Sequence, residues 1–348
     1  MLLSILFGAL IGLFLLGPRA KVMLFWRPQN SRVQTHKALA DLTAADLKAL
    51  RATLARQEAA VGPIVEGAEK QIVFSAESRP KRTALCVLYI HGFSASRQEV
   101  SPVPERIAES LHANYYGMRL TGHGIDRPGG AALGRAKAND WLFDLMEAWQ
   151  VAHQLGEQVI VIATSTGATL ATWLAQQPSV MPHLAATVLI SPNFQAKHWA
   201  MPLFLWPWSE YWIFLLAGRD HGLVPSNEGG KKYWTYRYPI TALHQVAALV
   251  KAVRQSPVEH IEVPTLFIYT DVDRVVQARY TDAVARRWGS SIKHRITPPA
   301  KPNDKNHVLT GTLVRPETTA QVSADILSFL KGLPAKPDRV GGVTTDVG

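Results

Sequence analysis

The chain has a single cysteine, Cys86, in 348 residues. A disulfide framework, a cysteine-ligated zinc and an iron–sulfur cluster are excluded with that count, because each needs several thiolates. Compartment stays open, since reducing and oxidising surroundings both tolerate one thiol. Charge is sparse as well: 18% of residues are charged against 47% hydrophobic. That balance excludes a disordered chain and supplies enough apolar surface for a large core. The charge present leans basic, with 37 Lys plus Arg against 27 Asp plus Glu and a formal net charge of +10. Basic residues are scattered and no recognition motif sits among them, so no nucleic-acid partner is expected. A mildly basic surface accounts for the excess, and attraction to anionic lipid headgroups is the more specific reading.

An uncharged apolar run opens the chain. Met1–Gly17 carries no charged side chain. As a helix it would span ~26 Å at ~1.5 Å per residue, against ~30 Å of bilayer hydrocarbon. Arg19 and Lys21 follow it, and snorkelling by both would narrow the gap. A secretory signal peptide is the rival, but it has a basic region before the run and an Ala-x-Ala-like site behind it. Here only the α-amino group precedes, and Pro18-Arg19-Ala20-Lys21 follows. Basic charge on the C-terminal flank holds that flank in the cytoplasm. The expectation is a membrane protein with a single-pass N-terminal anchor and a cytoplasmic catalytic domain. Cleavage and export, or burial of the run, remain the alternatives.

The spacing predicts four parts: residues 1–27 as anchor or signal, 28–70 as a helical extension, 71–333 as the main domain, and 334–348 as a disordered tail. In the extension, Leu42, Leu47, Leu50 and Leu54 recur at helical spacing within Asp41–Ala60. Beyond Gly62-Pro63, short β-rich runs occur at Gln71–Phe74, Leu85–Ile90, Asn114–Met118, Gln158–Ala163, Ala186–Ile190, Thr265–Tyr269 and Ser291–Ile296. Helical stretches separate several of them, among them Asp140–Gln154, Thr166–Gln176, Arg279–Arg287 and Thr318–Leu330. Such alternation implies an α/β fold with a mostly parallel sheet and helices on both faces. Residues 193–256 interrupt the rhythm without a convincing core strand and read as an insertion.

Three strand ends carry chemistry. Ala163-Thr164-Ser165-Thr166-Gly167 follows the apolar run Val159–Ile162 and opens a helix, the strand–serine–helix context of a nucleophile elbow. Alanine stands where the pattern has its first glycine. His91-Gly92-Phe93 ends another apolar run, where a turn can aim the Phe93 N–H beside that of Thr166 as an oxyanion hole. His91 itself reads as a loop-packing residue. The third is Asp271-Val272-Asp273 after the Thr265–Tyr269 strand, followed some thirty residues on by His307. A serine needs a base to take its proton, and the base needs a carboxylate to hold its tautomer. Of the twelve histidines, only His307 occupies a loop after the last sheet strand. Asp271 and Asp273 lie two residues apart, so strand period cannot choose between them.

With these motifs the chain resembles the α/β-hydrolase superfamily, in particular its bacterial carboxylesterase and monoacylglycerol-lipase-like branch, from about Gln71 to Leu333. Thr121-Gly122-His123-Gly124 and Asp140-Trp141 fit that branch, with His123 bracing a loop and Asp140 capping a helix. The resemblance favours Asp273 over Asp271, because the family's acid commonly precedes an apolar pair by two positions, as Asp273 precedes Val275-Val276. It implies a serine hydrolase cleaving lipid-like or acylglycerol esters through Ser165, His307 and Asp273, with no cofactor and no metal. A thioesterase or peptidase on the same triad, or an inactive binding protein, are the other readings. The insertion would be a cap. It holds Trp199, Trp206, Trp208, Trp212 and Trp234, half of the ten tryptophans, as cap packing, an acyl pocket or a lipid-facing surface.

Overall fold

The computed structural model describes residues 7–8, 12–24, 37–125, 128–222, 225 and 227–334. The main sheet takes β1 (Gln71–Val73), β2 (Thr83–Ile90), β3 (Asn114–Gly117), β4 (Gly156–Thr164) and β5 (Leu184–Ile190). A small hairpin, β6 (Asp220–Gly222) with β7 (Arg237–Pro239), stands apart, and β8 (Thr265–Ile268) and β9 (Lys293–Ile296) complete the sheet. Its order is β1-β3-β2-β4-β5-β8-β9, all parallel except the antiparallel β1–β3 pair.

Central strands are apolar on both sides because helices cover both faces. Along β2, Cys86, Leu88 and Ile90 join one core with Leu145 and Trp149 of helix Ala138–Leu155. Val87 and Tyr89 point the other way, towards Ile107 of helix Val103–Ser110 and Val322 and Ile326 of helix Pro316–Lys331. Each such large side chain contributes about 1.5–3 kcal/mol on burial. A sheet held on both faces gives rigid strand ends, and the candidate site uses three of them.

The helical extension is part of the same body. Thr43 caps helix Ala44–Val61: its Oγ1 accepts from the Asp46 N–H, and the Asp46 carboxylate accepts from the Thr43 N–H at 2.9 Å. Leu47, Leu50 and Leu54 are buried in the main core. One turn on, the buried Glu58 takes a two-pronged bond from Arg119, at 2.7 and 2.9 Å. Arg119 also donates to the His123 carbonyl, so the helix is tied to the loop after β3.

Among the described residues, no helix is long and apolar enough to cross a membrane. Most of the run expected as an anchor, residues 1–6 and 9–11, lies outside the described residues, as does nearly all of the expected tail. The stretch that follows the run is laid across the domain. Gly17 sits under the Trp208 indole, so close that a Cβ there would come within 1.8 Å of Nε1. The Pro18 carbonyl accepts from the Trp208 N–H at 2.8 Å. Asn139 and Met23 exchange two hydrogen bonds, and the Trp173 indole donates to the Leu24 carbonyl at 2.8 Å.

Between β5 and β8 the chain leaves the sheet. Met201, Phe204, Ile213 and Ile240 form a small cluster of their own there. Trp199, Trp206, Tyr211, Leu215 and Leu216 stay exposed. The last helix of this excursion, Ala242–Arg254, returns to the main layer, and its Leu249 and Val253 are fully buried in the main core.

Candidate active site

β4 ends at Thr164, and helix Thr166–Leu174, the elbow helix, starts one residue later. Ser165 therefore makes the whole turn, at φ 54° and ψ −118°. That is a strained conformation for a residue with a Cβ, held by the Ser165 N–H donating to the Ile190 carbonyl at 2.9 Å. Gly167 lets the elbow helix press against β2, since a Cβ there would lie 2.4 Å from the Ile90 carbonyl oxygen. The Ala163 methyl is fully buried in the main core, so the alanine is accommodated. Ser165 is left half-buried, at the sheet's C-terminal edge, the place where ligands meet parallel sheets.

His307 and Asp273 arrive there on two later loops. His307 Nε2 lies 2.9 Å from Ser165 Oγ, and Nδ1 lies 2.8 Å from Asp273 Oδ2. In the neutral tautomer that donates Nδ1–H to the carboxylate, Nε2 is free to accept the serine proton. Asp273 is 1% exposed. Its second oxygen accepts from the Val275 and Val276 N–H groups at 2.7 and 2.9 Å. Asp271 goes elsewhere: it pairs with Arg295 on the surface at 2.9 Å. The histidine loop is braced by Asn306, at φ 50°, whose amide exchanges hydrogen bonds with Lys301 and takes one from the buried Arg315.

Phe93 follows β2 and Thr166 follows β4, neighbouring strands in register. Neither N–H has an acceptor among the described residues. His91 is buried and braces the turn: Nδ1–H donates to the Gly92 carbonyl at 2.9 Å, and Nε2 accepts from the Leu120 N–H at 3.1 Å. Burial pushes its pKa down to about 4, which keeps it neutral. His123, also buried, meets Phe93 and Trp141 edge-on. Asp140 accepts from the Lys137 N–H at 2.8 Å, at the start of its helix. Among the described residues, no group of three or more His, Cys, Asp or Glu is placed to hold a metal.

The family described as serine aminopeptidase, S33, matches residues 81–300. The chain belongs to that family. A thermostable monoacylglycerol lipase of Bacillus sp. (strain H-257) is 25% identical over 234 residues, covering 67% of this chain and 86% of the relative. A metagenome-derived lipolytic enzyme of known structure matches with a TM-score of 0.60 at 19% identity, over 77% of this chain and 99% of its own. A soluble variant of monoglyceride lipase from Saccharomyces cerevisiae matches at 0.53 and 14% identity, over 76% and 90%. At such identities the structural likeness establishes the fold. The chain is a lipase- and esterase-like α/β-hydrolase of the S33 family.

In this hydrolase the structure adds two groups that sequence reasoning missed. Lys197 Nζ, from the excursion, donates to the Asp273 carbonyl at 2.8 Å and ties the excursion to the loop after β8. Glu99 lies beneath the His91-Gly92-Phe93 turn, 2% exposed, and its Oε1 accepts from the Gly92 N–H and, at 2.7 Å, from the Tyr89 hydroxyl. Burial pushes the Glu99 carboxyl up to about 7. No signal marked it, because an acid in a polar loop ordinarily belongs to a solvated face.

Proposed function

We propose that this hydrolase cleaves carboxylic esters of apolar acyl groups, acylglycerol-like lipids among them, through a covalent acyl-enzyme. One observation carries the reading: the unbroken line of hydrogen bonds from Asp273 through His307 to Ser165. Ser165 Oγ attacks the ester carbonyl carbon as its proton passes to His307 Nε2. The carbonyl oxygen becomes an oxyanion that accepts from the Phe93 and Thr166 N–H groups, the role such amides play where negative charge develops. His307 then gives its proton to the leaving alkoxide. Water enters, His307 takes one of its protons, and the hydroxide attacks the acyl carbon. Collapse of the second tetrahedral intermediate returns the proton to Ser165 and frees the acid. Asp273 stays ionised and holds the imidazolium in place.

The lipid-like substrate is supported by the lipase relatives and by the exposed aromatic side of the cap. The same side favours a membrane partner. Trp199, Trp206, Tyr211, Leu215 and Leu216 are exposed, and so are Leu13, Leu15 and Leu16 of the segment that meets Trp208. Tryptophan and tyrosine favour the headgroup boundary, and Arg19 and Lys21 favour the cytoplasmic leaflet. On this reading the protein sits on the cytoplasmic side, tethered by its N-terminal segment.

Labelling by a fluorophosphonate, with a panel of p-nitrophenyl esters, acyl thioesters and aminoacyl anilides, tests the reading. Wild type takes one label and prefers esters. Ser165→Ala takes none, stays folded and loses turnover by roughly 10⁴–10⁶-fold. A folded Ser165→Ala protein with near-normal ester turnover would end the proposal. Preference for anilides would make the chain a peptidase on the same residues.

A further inference from the structure

Three groups outside the Ser165–His307–Asp273 line are locked together beneath the two turns that bear the Phe93 and Thr166 amides. Glu99 Oε1 accepts from the Gly92 N–H, one peptide before the Phe93 N–H. It also accepts from the Tyr89 hydroxyl at 2.7 Å. With its one proton committed to Glu99, the Tyr89 oxygen accepts from the Thr164 hydroxyl at 3.1 Å. Thr164 directly precedes the elbow serine. The chain Thr164–Tyr89–Glu99–Gly92 thus joins the end of β4 to the turn after β2, all of it buried.

Gly92 shows how tight the arrangement is. A Cβ on it would stand 3.1 Å from Glu99 Oε2 and 3.2 Å from the Ser165 Cβ. The carboxylate and the serine press on the same side of one residue.

We propose that Glu99 is a positioning residue of the hydrolytic site, which through Gly92 and Tyr89 sets the spacing of the Phe93 and Thr166 N–H groups. It deepens the ester-hydrolase reading and rests on it. An oxyanion hole works only if its donors are already aimed when charge develops, and a buried carboxylate accepting an N–H is a stiff way to aim one. The groups that face Glu99 are few. Tyr89 comes from β2, with Thr164 behind it, and His307 from the histidine loop, whose Gly311 packs on the Glu99 backbone. Arg97, on the same turn, is directed away to the Glu69 carbonyl at 2.9 Å. No lysine or arginine among the described residues pairs with Glu99. Its ionised form is therefore opposed by burial and helped by the Gly92 N–H and the Tyr89 hydroxyl.

The test compares Glu99→Gln and Tyr89→Phe with wild type on one p-nitrophenyl ester between pH 5.5 and 9, with melting curves alongside. Glutamine keeps an oxygen for the Gly92 N–H and removes the charge. It is expected to lower kcat roughly tenfold with KM within about twofold, because the loss falls on the transition state. It should also remove an inflection near pH 7 from the wild-type kcat/KM profile, the range where Glu99 ionises. Tyr89→Phe cuts the bridge to Thr164 and is expected to lower kcat roughly threefold, again with KM held. Unchanged kcat and an unchanged pH profile in folded Glu99→Gln would overturn the proposal, as would losses that track the melting temperature alone. If Glu99→Gln does not fold, Tyr89→Phe decides, and full activity in it overturns the proposal. Ser165→Ala run in parallel separates the two readings: activity remaining there removes the hydrolytic mechanism itself, whereas its loss beside a fully active Glu99→Gln removes only the role of Glu99.

Discussion

Asp273 meets His307 with one carboxylate oxygen and spends the other on its own backbone, at the Val275 and Val276 N–H groups. The carboxylate is thus fixed independently of the histidine, and in the proposed mechanism it would hold one tautomer rigidly. Asp273→Asn is expected to lower kcat by ~10³–10⁴ on an activated ester, because an amide favours the wrong tautomer. Asp271→Asn, which loses a surface pair with Arg295, should cost less than about tenfold. Measured side by side, the reverse ranking would assign the acid to Asp271.

Removing Arg119 should unfold the protein more readily than any surface change. Arg119→Met leaves the buried Glu58 without its two-pronged partner, and a buried charge left alone costs about 3–5 kcal/mol. Burial raises the Glu58 pKa, but the Arg119 bonds outweigh it, and the carboxyl ends below its ordinary value of 4.5. Its contribution is therefore present above pH ~4.5 and lost as pH falls through the lower folded value. Urea denaturation should show the gap between wild type and Arg119→Met narrowing at pH 3 to 4. A constant gap would contradict this account.

Glu99 has the opposite sign. Its folded pKa is raised from 4.5 to about 7, so the folded state holds a proton that the unfolded state has released. Stability from this group is full below pH ~4.5 and falls as pH rises towards 7. Glu99→Gln should flatten that part of the curve. Parallel curves for wild type and variant between pH 5 and 7.5 would rule the effect out.

Trp206 is half exposed and meets Trp212 edge-on with ring centroids 6.5 Å apart. Trp206→Ala should therefore change the melting temperature little. If the cap face takes acyl chains or lipid, the variant loses several-fold more rate on medium-chain esters than on acetates, and sediments less with anionic vesicles. Equal loss at all chain lengths with a lower melting temperature would make Trp206 a packing residue only.

The sheet was legible because its central strands are apolar runs bounded by turn residues, and all seven predicted runs coincide with strands to within a few residues, the polar edge strand β9 included. Pairing direction leaves no such trace, so the antiparallel β1 was not foreseen. Helix Val103–Ser110 was hidden by Pro102 and Pro104, which suit a first helical turn yet read as breakers. Ser165 and His307 stood out by position, one at a strand–helix turn and one beyond the last strand. Asp273 needed the family resemblance, since only the folded turn distinguishes it from Asp271. Glu99 and the Tyr89–Thr164 bridge depend on three segments meeting, which no local pattern encodes. The aromatic residues between β5 and β8 divide in the same way: Phe204 is buried while Trp199 is 77% exposed, a difference that composition cannot carry.

The way residues 17–24 lie across the domain has a mechanical side. Their contacts come in file: Gly17 and Pro18 at Trp208, then Met23 at Asn139, then Leu24 at Trp173 on the elbow helix. A pull on the amino-terminal end loads these contacts in turn, as in peeling, where a broad face would share the load in shear. Under such a pull the Trp208 contact would be the first to take load and the helix that follows Ser165 the last.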